Sequence, residues 1–172
     1  MSRRNLLNLG LLGLVIALLA LAIFEPGRDR QPAPVPLFTL KPEQVDTIRI
    51  KRPEHEDLAL QRRQGNWFII KPLEAPANAS LVDRVLKITT STCPVRYAAA
   101  ELELARLQLD PPRLRLILND QALAFGGTET LNGRRYVQIG DSVYLCSDRF
   151  YYLLTGTLEN FTTPRTPAET TR

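Results

Sequence analysis

The chain has 172 residues, 23% charged and 44% hydrophobic, with a formal net charge of +4. That is enough for one globular domain with appendages and for a buried core. Between Pro36 and Phe161, 16 Lys/Arg meet 15 Asp/Glu, and the excess lies in flanking Arg3, Arg4, Arg28, Arg30, Arg165 and Arg172; a near-neutral domain of mixed sign lacks the dense basic face that phosphate backbones require, which excludes nucleic acid as a partner.

Residues 1–5 carry Arg3 and Arg4 ahead of an apolar run, Leu6–Phe24, whose one polar side chain is Asn8. At helical rise the run spans about 28 Å, close to a bilayer's hydrocarbon core. It has no polar stripe, which the core helix of a soluble protein would show. Charge is positive before the run and balanced after it, where Arg28 and Arg30 meet Glu25 and Asp29. This predicts a cytoplasmic N-terminus and an extracytoplasmic remainder. Ala20-Leu21-Ala22 offers a small-residue cleavage site, but Ile23 and Phe24 carry the run past it. The reading is therefore an uncleaved signal anchor, 6–24, that partners a lipid bilayer. Residues 25–36, "EPGRDRQPAPVP", contain four Pro and read as a stiff stalk.

The folded extracytoplasmic domain is expected over 37–160, a periplasmic one if the chain is bacterial. "VDTIRIKR" alternates, with Ile48 and Ile50 on one face. "DLALQRRQGNWFIIK" reads as a β-hairpin turning at Gly65-Asn66. A helix follows in "SLVDRVLKI", with Ser80 and Asp83 as a capping box and Leu81, Val85 and Ile88 on its apolar stripe. "PVRYAAAELELARLQLDPP" reads as a strand and a short helix, with Leu102, Ala105 and Leu109 at helical spacing. Asp110-Pro111-Pro112 stops it.

From Leu114 to Cys146 four strands alternate between turns at Asn119-Asp120, Asn132-Gly133 and Gly140-Asp141, an antiparallel meander with one apolar face. In the last strand Val143 and Leu145 are assigned inward, Tyr144 and Cys146 outward. "DRFYYLLTG" closes as a helix, and residues 161–172 read as a disordered tail. The fold class is α+β: two antiparallel sheet segments, a hairpin and then a four-strand meander, each followed by a helix, packed on their apolar faces and preceded by one transmembrane helix.

Candidate chemistry is sparse. His55 is the single histidine, flanked by Glu54, Glu56 and Asp57, and adjacent positions do not all aim at one ion, so a charged loop is the reading. No Ser lies in a Gly-x-Ser-x-Gly elbow, and Gly126-Gly127 reads as a bulge or turn. Glu101 and Glu103 diverge if helical. No cofactor, metal or catalytic residue is assigned. Cys93 and Cys146 are the candidate disulfide pair in an oxidising compartment, with two separate small hydrophobes as the alternative. The sequons at Asn78 and Asn160 carry no weight.

The stretches "LKPEQVDTIRI", "NWFIIKPLEAPANASLVDRVL", "LQLDPPRLRLIL" and "RRYVQIGDSVYLCS" together resemble the bacterial domain-of-unknown-function family 4340. They match, in order, its opening strand, its tryptophan-bearing strand with linker and helix, its Leu-Asp-Pro-Pro junction and its closing hairpin. The resemblance covers about Leu37 to Leu154. It implies an anchored extracytoplasmic domain similar to auxiliary components of gliding-motility-type ABC transporters, and it carries over no catalytic residue. Two departures stand out: Gln108 occupies a place where the family tends to have Gly, and the two cysteines are outside its pattern.

The expected function is therefore a non-catalytic binding or scaffold domain with protein partners in the inner membrane or periplasm. Its candidate recognition face is Arg113, Arg115, Tyr136, Gln138 and Tyr144. The alternatives are a periplasmic hydrolase with converging carboxylates and a lipid- or glycan-binding module using Tyr136, Tyr144, Tyr151 or Tyr152.

Overall fold

The computed structural model describes residues 3–24, 35–38, 40–53 and 55–163. The chain divides into two compact units, Met1–Gln31 and Pro32–Arg172. The first contains α1, Arg3–Phe24, which is long and apolar enough to cross a membrane. Its 22 residues extend about 33 Å. Leu9, Leu12, Ile16 and Leu19 are each more than half exposed, an arrangement that lipid accommodates and water does not. Residues 25–34 of the expected stalk lie outside the described residues. Val35 and Pro36 are not spacer: they form β1 and pair antiparallel with β6, Thr92–Cys93.

The second unit is α+β. Nine strands form one antiparallel sheet: β2 (Thr47–Lys51), β3 (Leu58–Arg63), β4 (Asn66–Lys71), β5 (Ala75–Pro76), β7 (Val95–Ala98), β8 (Leu114–Leu118), β9 (Gln121–Thr128), β10 (Arg135–Ile139) and β11 (Ser142–Cys146). The order across the sheet is β5-β4-β3-β2-β8-β9-β10-β11-β7. The expectation of two segments packed face to face is corrected here. Hairpin and meander join edge to edge, through β2 and β8. Ile48 faces Leu60 on one side and Leu118 on the other, and Ile50 faces Leu58 and Leu116. The apolar rows thus run unbroken across the seam, and a one-residue slip would turn them all to water. Asn119, left-handed in the β8–β9 turn (φ 55°), holds the seam. Its Oδ1 accepts the N–H groups of Asp46 (2.9 Å) and Thr47 (3.1 Å), and its Nδ2 donates to Gln44 O (2.8 Å).

One sheet face carries the core: Ile48, Leu60, Ile69, Leu116, Leu123 and Val137 are buried there. Helix α2 (Ala79–Leu86) contributes buried Leu81, Val82, Val85 and Leu86 to it. Asn78, not Ser80, caps α2, accepting the Leu81 N–H at 3.2 Å. Helices α3 (Arg149–Leu154) and α4 (Leu158–Phe161) add Phe150, Leu154 and Phe161. Phe161, expected in the tail, is 1% exposed, and Thr162 bridges to Ala77; residues 164–172 lie outside the described residues. The first hairpin turns at Gln64-Gly65, both left-handed (φ 51° and 82°), and Asn66 already pairs with Arg63. That matches the twist of the flanking strands.

The short helix expected around Leu102–Leu109 does not form. Ala99–Glu101 is a single 3-10 turn. A lone further turn ends with Gln108 left-handed (φ 57°), Leu109 N–H on Leu104 O (2.9 Å) and Gln108 N–H on Ala105 O (3.0 Å). This is a helix ending with almost no helix before it, because one turn does not offset the cost of nucleation. The left-handed φ explains why Gly would suit position 108.

Strand β7 lies beside β11 and β8 beside β9, so the connection from Ala98 to Leu114 passes three strands. It crosses on the face away from the core: Gly127 N–H donates to Leu107 O at 2.8 Å, and Leu109 is 3% exposed. A Cβ on Gly126 would lie 2.3 Å from Leu107 O. Gly126→Ala is expected to cost about 2 kcal/mol through overpacking. A urea melt reads it; an unchanged midpoint would mean the connection does not press on β9.

Candidate recognition face

Strand alternation turns Thr47, Arg49 and Lys51 of β2 away from the core. Register then builds a cluster. Lys51 lies directly across from Arg115 of β8, and Arg49 lies between Ile117 of β8 and Ala59 of β3. Ala59 in turn faces Lys71 of β4. Arg49, Lys51, Lys71 and Arg115 are all exposed. Like charges directly opposite each other weaken an antiparallel pair, and the Lys51–Arg115 opposition is of that kind. One acid reaches into the cluster: Asp57 Oδ2 lies 3.9 Å from Lys51 Nζ, with both side chains about half exposed.

Small residues keep the floor of this face low. Ala122 and Ala124 of β9 lie beside Ile117 and Arg115. The single methyl of Ala59 leaves a groove of about 370 Å³ walled by Arg49, Lys51, Ile70 and Lys71. Ile70, in its wall, is 36% exposed, and Leu73, two positions beyond Lys71 in the chain, is 47% exposed. Each cation alone looks like a solvated strand residue. The sequence signal was Arg49 and Lys51 in phase with each other against Ile48 and Ile50, and Arg113 and Arg115 in phase against Leu114 and Leu116. What it lacked was the register that sets the two pairs side by side.

The five residues expected to form one face do not share it. Arg115 belongs to the cluster. Arg113 is exposed, but its Nε donates to Gln108 Oε1 and ties it to the crossing connection. Tyr136 and Gln138 of β10 are half-buried on the side of Leu145 and Val143, with which they pair. Tyr144 points the other way. It pairs with Val137 and is 7% exposed in the core. Strand β11 is buried over its whole length. Tyr144 and Cys146 face inward, Val143 and Leu145 outward, the reverse of the sequence assignment.

Cys93 and Cys146 are joined by a disulfide, with Cα atoms 4.9 Å apart. The bond forms part of the wall of a cavity of about 410 Å³ whose lining includes Ile88, Phe125 and Phe150 together with Lys87 and Arg149. Nearby, the side chain of Arg135 is buried in phase with Val137. Its Nε and Nη2 donate to the two Asp148 carboxylate oxygens, the second at 3.3 Å, and its Nη1 donates to Gly126 O. The Tyr151 ring lies 3.5 Å from its guanidinium carbon, a cation–π stack. Sequence reading missed this node, although an Arg in step with a core-facing valine was the available signal.

His55 is exposed, with Nδ1 3.2 Å from Pro53 O, and Glu56 and Asp57 are exposed beside it, while Glu54 lies outside the described residues. Among the described residues no three His, Cys, Asp or Glu side chains converge as a metal site would need. Glu103 pairs with Arg106 at 2.6 Å in solvent, and Glu101 is exposed. Tyr152 is 70% exposed and meets Tyr151 edge-on. No protein-family model, curated protein or solved structure matches the chain.

Proposed function

We propose that the chain is a single-pass protein of the bacterial inner membrane whose periplasmic domain is a non-catalytic binding or scaffold module, an accessory subunit of an envelope or ABC-transporter complex. The apolar length of α1 supports the anchor, and the resemblance of residues 37–154 to anchored extracytoplasmic domains supports the accessory role. The observation that carries the binding reading is the exposed cationic cluster on β2, β4 and β8. Lys51 against Arg115 works against strand pairing, and an anionic partner would offset that cost.

Crosslinking of the full chain in native membranes, followed by mass spectrometry after mild solubilisation, tests this reading. The expected result is cross-links from the domain's lysines to other envelope polypeptides, with the chain resisting carbonate extraction and keeping its N-terminus. Recovery as a lone monomer, or release into the soluble fraction with a shortened N-terminus, would overturn it.

A further inference from the structure

We infer that the cationic groove over Ala59 docks the domain on anionic lipid headgroups, with Leu73 and Ile70 entering the interface beside them. The inference rests on the reading of α1 as a membrane anchor.

The shape of the face favours a planar anionic surface. Its cations stand at sheet spacings, roughly 4.8 Å between strands and 6.8 Å between alternate residues of one strand. A protein partner's binding energy concentrates in an aromatic or Arg anchor that fills a well-packed pocket. The floor here is the small side chain of Ala59, and the groove above it opens between Arg49, Lys51 and Lys71, where a headgroup phosphate can enter.

The rim supplies a second, independent argument. Ile70 precedes Lys71 and Leu73 follows it two positions on, both exposed, and apolar side chains close in sequence to cations suit the boundary between headgroups and acyl chains. Glu74, next in the chain, is held at 2.6 Å by Arg63, so its charge is already answered.

The tether makes a weak attraction effective. Residues 25–34 separate α1 from β1 and reach at most about 35 Å when fully extended. A domain held that close meets the headgroups at high effective concentration. A few cations would bind a free protein only weakly to a bilayer, but on an anchored one they set orientation.

The test uses the full chain in vesicles of phosphatidylcholine alone or with added phosphatidylglycerol. An environment-sensitive fluorophore on Leu73→Cys reports the rim, and one on Asp83→Cys, on the solvent side of α2, reports a control site. Flotation with both vesicle types reports the anchor separately, so failure of docking and failure of the anchor are distinguishable. Quenching of the rim label by brominated lipid is expected in anionic vesicles only, reversed by high salt, with the control label staying wet. The variant Arg49→Gln/Lys51→Gln/Arg115→Gln should lower the ratio of docked to free domain on the order of a hundredfold, and Asp57→Asn should raise it roughly fivefold. The triple variant removes opposed like charges, so it keeps its fold. Equal quenching in both vesicle types, or docking that survives the triple substitution, overturns the proposal. Docking that appears only with an added acidic protein also overturns it and assigns the face to a protein.

Discussion

Replacing Cys93 and Cys146 together by alanine is expected to lower the free energy of unfolding by about 4 kcal/mol. The bond links positions 53 apart, and loop-closure entropy removed from the unfolded chain at that separation gives this magnitude. It encloses β7 through β11, so the reduced chain regains the freedom of the whole meander. Both sulfurs belong to residues under 5% exposed. Serine in their place would add two buried hydroxyls to the loss of the cross-link, whereas alanine isolates the cross-link. Urea melts of the wild-type chain with and without reductant should reproduce most of the loss, with a steeper slope as the reduced unfolded state exposes more surface. A loss below about 1 kcal/mol would show that the native contacts around Ile88 and Phe150 hold this region without the bond.

Asp148→Asn should cost about 3 kcal/mol, and the cause is burial. The Arg135 side chain is 6% exposed and that of Asp148 17%. Replacing the carboxylate by an amide leaves a guanidinium out of water with no counter-charge: one amide oxygen still accepts beside Gly126 O and the Tyr151 ring, and the amide NH2 opposes the other N–H donor. The exposed pair Arg63–Glu74, at 2.6 Å with side chains 47% and 67% exposed, provides the contrast. Glu74→Gln should change stability by no more than about 0.5 kcal/mol, and added salt should erase even that. A buried two-point pair and an exposed one-point pair thus separate chiefly by their access to water. Equal effects in parallel thermal melts would mean that Arg135 relaxes to solvent once Asp148 is neutral.

The meander was legible because its rule is local. Leu114, Leu116 and Leu118 alternate cleanly, and the turns at Asn119, Gly133 and Gly140 each contain a residue that accepts positive φ (55°, 63° and 52°). The join between hairpin and meander was not legible. Nothing in the pattern of Ile48 and Ile50 distinguishes a sheet neighbour from a facing layer; hydrogen-bonded register decides that. Strand β11 misled because it is buried on both sides, so alternation carries no inside and outside there. Leu102, Ala105 and Leu109 have helical spacing, yet spacing measures which residues share a face and not whether the segment outlasts nucleation. The recognition face suffered most. Arg113 is tied to the crossing connection, Tyr136 and Gln138 are half-buried beside β11, and Tyr144 is in the core, by contacts that no single strand encodes.

The seam between β2 and β8 has a consequence for the order in which the chain acquires its shape. Within the hairpin, and within the meander, partners are near neighbours in sequence, and such contacts close on microsecond timescales. Thr47 and Asn119 are 72 positions apart, and a contact of that range makes folding slow. The disulfide lies wholly on one side of this divide. It gathers β7 to β11 into a closed loop and leaves β2 to β4 outside it, so oxidation shortens the search within the meander but does nothing to bring β2 to β8. The open edge of β8 stays bare until β2 arrives. That interval, with Leu114, Leu116 and Leu118 on a strand whose edge is unpaired, is when a newly made chain is most open to wrong pairings.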